Sequence, residues 1–121
     1  MRKRILVVDD DHEVRSCIQE LLEEEAYEVE TAIDGADALD HLDHQRNVYD
    51  MILLDLTMPR LNGLQVLQTL QEQDSTLLRS IIVLSGDEEA LQQAAGMGVG
   101  NTLKKPFDLD VLLALVVRAI S

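Results

Sequence analysis

An α/β fold is predicted for this chain, a doubly wound parallel sheet of five strands flanked by five helices. Three observations predict it. Short apolar runs of strand type alternate with helical patterns five times along 121 residues, a length suited to one domain with one sizeable core. Hydrophobic residues make up 46% of the chain and aromatics only 2%, so Leu, Ile, Val and Ala must build that core. Polar residues follow the first, third, fourth and fifth apolar runs, where a parallel sheet would open onto a site.

The first strand is Arg4–Val8, and the helix after it spans Glu13–Glu25. Val14, Cys17, Ile18, Leu21 and Leu22 fall at i, i+3, i+4, i+7 and i+8, a single apolar face on which Cys17 is expected to be core. Glu23–Glu25 belong to its solvated side. The second strand is Glu28–Ala32 and the second helix Gly35–His44. Met51–Leu54 is apolar without a break, as in a strand buried on both faces. A loop punctuated by Pro59 and Gly63 leads into the third helix, Gly63–Gln73. The fourth strand is Ser80–Leu84 and the fourth helix Glu88–Ala95. "GMGVG" at Gly96–Gly100 has half the pattern of a dinucleotide fingerprint but precedes a strand, the wrong context, and is read as a loop. Asn101–Lys104 is the fifth strand and Asp108–Ile120 the last helix. Asp11, Asp34 and Asp108 stand where N-caps belong. Such alternation implies right-handed crossovers and the flavodoxin-like strand order 2-1-3-4-5. The whole of 1–121 is read as one domain without repeats or linkers.

A formal charge of −13 repels nucleic-acid backbones and anionic membranes, and argues against direct DNA binding. It suits a protein that holds a cation. Cys17 is the single cysteine, which excludes an internal disulfide and fits a reducing compartment. The basic start "MRKR" is followed by too short an apolar run for a signal peptide, and "VLLALVV" at Val111–Val117 is far below the roughly 20 residues that span a bilayer. A cytoplasmic protein is expected.

In the order 2-1-3-4-5 the chain reverses between strands 1 and 3, and ligands bind beside that switch point. Asp9 and Asp10 follow strand 1, Asp55 follows strand 3, Ser85 strand 4 and Lys105 strand 5, so all five should converge. Acids about 5 Å apart at an effective dielectric near 20 repel by roughly 3 kcal/mol per pair. Lys105 and one divalent cation would neutralise three such acids. Mg²⁺ fits, since it takes few carboxylates, keeps waters and accepts a phosphate oxygen. A carboxylate can be the nucleophile of phosphoryl transfer, which asks mainly for positioning and charge neutralisation. Asp55 is the expected acceptor. The metal would be held by Asp9 (directly or through a water), Asp10, Asp55 and the Thr57 backbone carbonyl. Lys105 and the Ser85 hydroxyl would take further phosphoryl oxygens. Asp11 is read as an N-cap, Lys104 as a solvated neighbour, and His12, His41 and His44 as surface residues without metal-ligand spacing.

"ILVVDDD", "DLTMPRLNG", "VLS" and "KKPF", separated by about 45, 30 and 20 residues, resemble the response-regulator receiver domains of two-component signalling over Arg4 to Ile120. The resemblance implies that Asp55 receives a phosphoryl group from a sensor histidine kinase or phosphotransfer protein. It implies that Asp9 and Asp10 bind Mg²⁺, that Ser85 and Lys105 contact the phosphoryl group, and that the bond before Pro106 is cis. Thr102 stands where receivers usually carry a strand-5 aromatic that swings inward on activation, so the readout here must differ. Gly86 leaves the site open to small donors such as acetyl phosphate. The apolar positions of the last helix cover roughly 240° of arc, more than one core contact needs. That width points to a downstream effector or dimer partner on the face formed by the fourth helix, fifth strand and fifth helix, a common signalling surface in receivers.

Three rival functions stand against this reading. A phosphatase of the haloacid-dehalogenase type needs a second acid at the position of Thr57. A flavodoxin-like cofactor protein needs a Ser/Thr–Gly phosphate loop after strand 1, where aspartates stand instead. A degenerate receiver, binding partners without phosphorylation, draws support only from Thr102. The chain is read as a signalling phosphoacceptor and not an enzyme.

Overall fold

The computed structural model describes residues 2–45, 48–57 and 62–120. Five strands, β1 (Arg4–Val8), β2 (Glu28–Ala32), β3 (Met51–Asp55), β4 (Ile81–Ser85) and β5 (Asn101–Lys104), form one sheet in the order β2-β1-β3-β4-β5. All four pairings are parallel. The helices are α1 (His12–Glu24), α2 (Gly35–Gln45), α3 (Gly63–Asp74), α4 (Glu88–Met97) and α5 (Leu109–Ile120).

The period of two along each strand sorts side chains onto two faces. Ile5, Val7, Leu53, Ile82 and Leu84 pack with Ile18 and Leu22 of α1 and Leu112 and Val116 of α5. Leu6, Val8, Ile52, Leu54, Ile81 and Val83 pack with Ala38 and Leu42 of α2, with α3 and with α4. Helices therefore cover both faces, and the central strands are apolar on each.

Several boundaries differ from the sequence reading, each for a local reason. β3 and β4 each extend one residue further, taking in Asp55 and Ser85, because Asp55 registers with Leu84 and Ser85 with Lys104. A 3₁₀ segment, Ser75–Ser80, precedes β4 and buries Leu77 and Leu78. α4 runs through Gly96 to Met97 and ends at Gly98, whose φ of 104° is the left-handed conformation that glycine adopts freely. Asp11 and Asp34 cap α1 and α2 through their carboxylates, accepting from the Glu13 and Asp37 N–H groups. At α5 the Val111 and Leu112 N–H groups both donate to the Asp108 backbone carbonyl.

Cys17 is not core. It is exposed, because α1 turns Ile18 and Leu22 into the sheet and leaves Cys17 at an apolar groove with Val14, Pro106, Phe107 and Leu109. His41 is also not a plain surface residue, since it sits partly buried between Glu30 and Asp37. His12 is exposed. Pro59 and the His44 side chain lie outside the described residues. On α5 only Leu112 and Val116 are buried, while Leu109, Val111 and Val117 are exposed, consistent with its wide apolar arc. Among the described residues no helix is long and apolar enough to cross a membrane.

Candidate functional site

The carboxyl ends of β1, β3 and β5 open into one crevice lined by Asp9, Asp10, Asp11, Asp55, Thr57, Gly86, Asp87 and Lys105. Strand parity explains its composition. Asp9 follows Ile5 and Val7, Asp55 follows Leu53, and Lys105 follows Leu103, so all three continue the sheet face that carries α1 and α5. Ser85 ends β4 beside them. It is fully buried, and its Oγ accepts a bond from the Asp87 N–H at 3.0 Å. The structure thus brings Asp9, Asp10, Asp55, Thr57 and Lys105 around the crevice, with Ser85 buried at the end of β4 next to the lining Gly86.

Asp9 is 1% exposed and Asp55 3%, a depth at which carboxylates are costly unless paired. Lys105 Nζ lies between them, 3.5 Å from Asp9 Oδ2 and 3.4 Å from Asp55 Oδ2. Asp55 Oδ1 accepts from the Thr57 N–H at 3.1 Å, and Asp9 Oδ1 from the Asp11 N–H at 2.9 Å. Asp9 Oδ2 is buried without a hydrogen-bond partner. Burial, foremost, pushes the Asp55 carboxyl up to about 6, and the Asp9 charge adds to this against the Thr57 N–H and Lys105. The Lys105–Pro106 peptide is cis, as the resemblance implied.

A hard cation fits this arrangement. One oxygen from each of Asp9, Asp10 and Asp55 lies within 4.8 Å of the others, and the donors are all oxygen. Asp9 Oδ2, which has no hydrogen bond and only the Lys105 ammonium 3.5 Å away, is an acceptor that a cation would satisfy. Lys104 is turned away toward Glu88 at 3.7 Å, which leaves Lys105 as the ammonium of the site.

The end of β3 and the start of α3 are held tightly against each other. The Gly63 N–H donates to the Leu56 carbonyl at 3.1 Å, and a Cβ at Gly63 would lie 2.5 Å from Leu56 Cα and 2.7 Å from the Asp55 carbonyl oxygen. Only glycine permits that approach. Asn62 caps α3 in a reciprocal pair with Gln65. Sequence reasoning missed the parts played by Asp87 and Arg15. Asp87 caps α4, a role that "SGDEEA" could have signalled. Arg15 donates to the Asp9 carbonyl at 2.8 Å, a contact with no sequence signature.

A family model described as the response regulator receiver domain matches residues 5–117. The chain is 41% identical over 116 residues to the response regulator MprA of a Mycobacterium species, an alignment that covers 94% of this chain and 49% of that protein. It spans about half the length of the curated relatives it matches. Among solved structures it resembles a signal receiver domain from Bermanella marisrubri at 38% identity, with both chains fully covered and a TM-score of 0.87. It also resembles the chemotaxis protein CheY4 of Vibrio cholerae at 30% identity, covering 98% of this chain and 99% of that one, with a TM-score of 0.85.

Proposed function

Because the chain belongs to the response-regulator receiver domains, we propose that residues 1–121 act as one phosphoacceptor module. Asp55 takes a phosphoryl group from a sensor histidine kinase or a phosphotransfer protein in a Mg²⁺-dependent reaction. An Asp55 carboxylate oxygen attacks phosphorus while the bond from phosphorus to the donor nitrogen breaks, and that nitrogen leaves with the electron pair. Asp9, Asp10, Asp55 and the Thr57 carbonyl would hold Mg²⁺, with Asp9 binding directly or through a water. When bound, the ion supplies the positive charge that lets an anionic phosphate approach three acids.

The chain's own residues do the rest. The Thr57 N–H holds Asp55 Oδ1, orienting the carboxylate. Lys105 stands 3.4 Å from Asp55 Oδ2, placed to neutralise a phosphoryl oxygen as charge builds. Ser85 must turn from the Asp87 N–H to reach that group, and such a turn would carry the change into the Gly86–Asp87 loop and α4. Thr102 is exposed on β5, so a swing of an aromatic into the core is not part of this switch. The signal passes by population shift to a downstream effector or dimer partner on the face of α4, β5 and α5, where Val111 and Val117 are exposed. The module is a signalling protein and not an enzyme that turns over a separate substrate. Its −13 charge argues against direct nucleic-acid or membrane contact, and a lone thiol suits the cytoplasm.

The observation that carries this reading is the buried Asp9 Oδ2, which has no hydrogen bond and is met only by the Lys105 ammonium at 3.5 Å, in a cluster of three acids. Intact mass after treatment with acetyl phosphate and Mg²⁺ tests it. The native chain should gain one phosphoryl group and Asp55→Asn none. Equal labelling of the two would refute Asp55 as acceptor. No labelling of either, by acetyl phosphate or a phosphorylated histidine donor, would leave a module that works without phosphorylation.

A further inference from the structure

Asp10 is the least supported of the three acids. Asp9 has its N–H on the Ala32 carbonyl at 3.2 Å and its Oδ1 on the Asp11 N–H. Asp55 has its Oδ1 on the Thr57 N–H and is wholly buried in β3. Asp10 is exposed, and among the described residues its carboxylate makes no hydrogen bond or ion pair. Its aim is set by the backbone alone, beginning with the peptide that joins it to Asp9. The carbonyl of that peptide accepts from Arg15 Nη1 at 2.8 Å. The other arm of the guanidinium, Nη2, meets His12 Nδ1 at 3.2 Å, so the planar group is held at two points.

We propose that Arg15 is a positioning residue which, through the Asp9 carbonyl, fixes the peptide plane that aims Asp10 at the cation. The inference rests on the receiver reading and goes beyond it by giving the first turn of α1 a part in metal affinity. A cation beside a cation site should weaken binding by charge alone. A donor that orients a ligand should strengthen it, and outer partners of this kind are worth about 10- to 100-fold in affinity. The two roles have opposite signs, so one substitution separates them.

Calorimetric titration of the metal-free chain with Mg²⁺ is the test, with the native protein, Arg15→Met and Arg15→Lys compared at equal ionic strength. Arg15→Met should weaken binding about tenfold, with Arg15→Lys in between because it keeps a charge and a shorter donor. Unchanged or tighter binding in Arg15→Met, in a variant whose circular dichroism is native, overturns the proposal. A native chain that binds no Mg²⁺ overturns the receiver reading and this inference with it. A second readout needs no metal. Amide exchange in the apo chain should quicken at Asp10 and Asp11 in Arg15→Met and stay unchanged in β5, and equal exchange in both proteins would also sink the claim.

Discussion

Two acid clusters stand at opposite ends of β1, and they differ in how their charge is met. Near its start, Glu28, Glu30 and Asp50 gather around Arg4, His41 and Tyr49, and Asp50 accepts from the Arg4 N–H at 2.8 Å. Arg4 Nε lies 2.7 Å from Glu28 Oε2, and Tyr49 donates to Glu30 Oε1 at 3.1 Å. His41 is 3.8 Å from Glu30 and 3.6 Å from Asp37. At the far end Asp9 and Asp55 share the Lys105 ammonium, Asp10 makes no ion pair among the described residues, and Asp9 Oδ2 is buried without a hydrogen-bond partner. Each cluster has three acids. The first has a partner for every acid and much of it faces water, so it needs nothing further. The second has two of its three acids buried and is short of positive charge. A shortfall of partners, and not the number of acids, is what marks the crevice as a binding site.

The sharpest way to break the contrast is to remove Lys105. In Lys105→Met, Asp9 and Asp55 would face each other without an ammonium. Losing one partner of a buried pair costs about 3–5 kcal/mol, and the part-exposed lysine places this case at about 3 kcal/mol. Urea unfolding without Mg²⁺ at neutral pH measures it, and an unchanged midpoint would mean the crevice is as well hydrated as the β2 cluster.

Asp55→Asn should move stability the other way. The Asp55 carboxyl, raised mainly by burial from 3.8 to about 6, keeps its proton in the folded chain over a range where the unfolded chain has released it. The folded state therefore binds more protons between about pH 4 and 6, and the contribution of Asp55 to stability is lost as pH rises through that window. Above it the ionised group is a burden worth about 2 kcal/mol after allowance for solvent in the crevice. Asp55→Asn should recover that amount at pH 7 and lose this segment of the pH profile. A variant less stable than the native chain at pH 7 would show that Asp55 is already well satisfied.

Magnesium provides a milder test. At ten times Kd a ligand specific to the folded state adds about 1.4 kcal/mol. Thermal unfolding should show that gain in the native chain and in Glu30→Gln, and a much smaller one in Asp10→Asn. An equal gain in all three would move the ion elsewhere.

Much of this was legible in the sequence because it follows from period and direction. Parallel strands end on the same side, so Asp9, Asp10, Asp55 and Lys105 had to meet. Apolar runs located the strands to within a residue, since a fully buried strand has no polar position to blur its ends. What escaped depends on rotation and on single contacts. Cys17 lies within the apolar stripe of α1, yet the helix meets the sheet through Ile18 and Leu22, a small turn that no periodicity settles. The Arg15 bond to the Asp9 carbonyl and the His41 contact with Glu30 join residues whose spacing has no pattern, whereas Asp37 and His41 stand at the i, i+4 spacing of one helix face, a pair that the sequence could have signalled.

The smallest effect belongs to the other end of β1. In Glu30→Gln the amide oxygen can still accept from Tyr49, whose hydroxyl is pushed up to about 12 by burial and then by the Glu30 bond. What is lost is the charge facing Arg4 and His41, across contacts of 3.5 and 3.8 Å at a half-exposed surface. Such pairs are worth about 0–1 kcal/mol and are screened by salt. Stability should therefore fall by less than about 1 kcal/mol, and the difference from the native chain should shrink as salt is raised from low to about 1 M, where the screening length is about 3 Å. The Tyr49 ionisation followed by ultraviolet absorbance should move down in the same variant, because a neutral acceptor no longer opposes the phenolate. If Glu30→Gln instead cost as much as Lys105→Met, with no response to salt, the β2 cluster would be as tightly coupled as the crevice. Partner shortage would then no longer separate a structural cluster from a functional one.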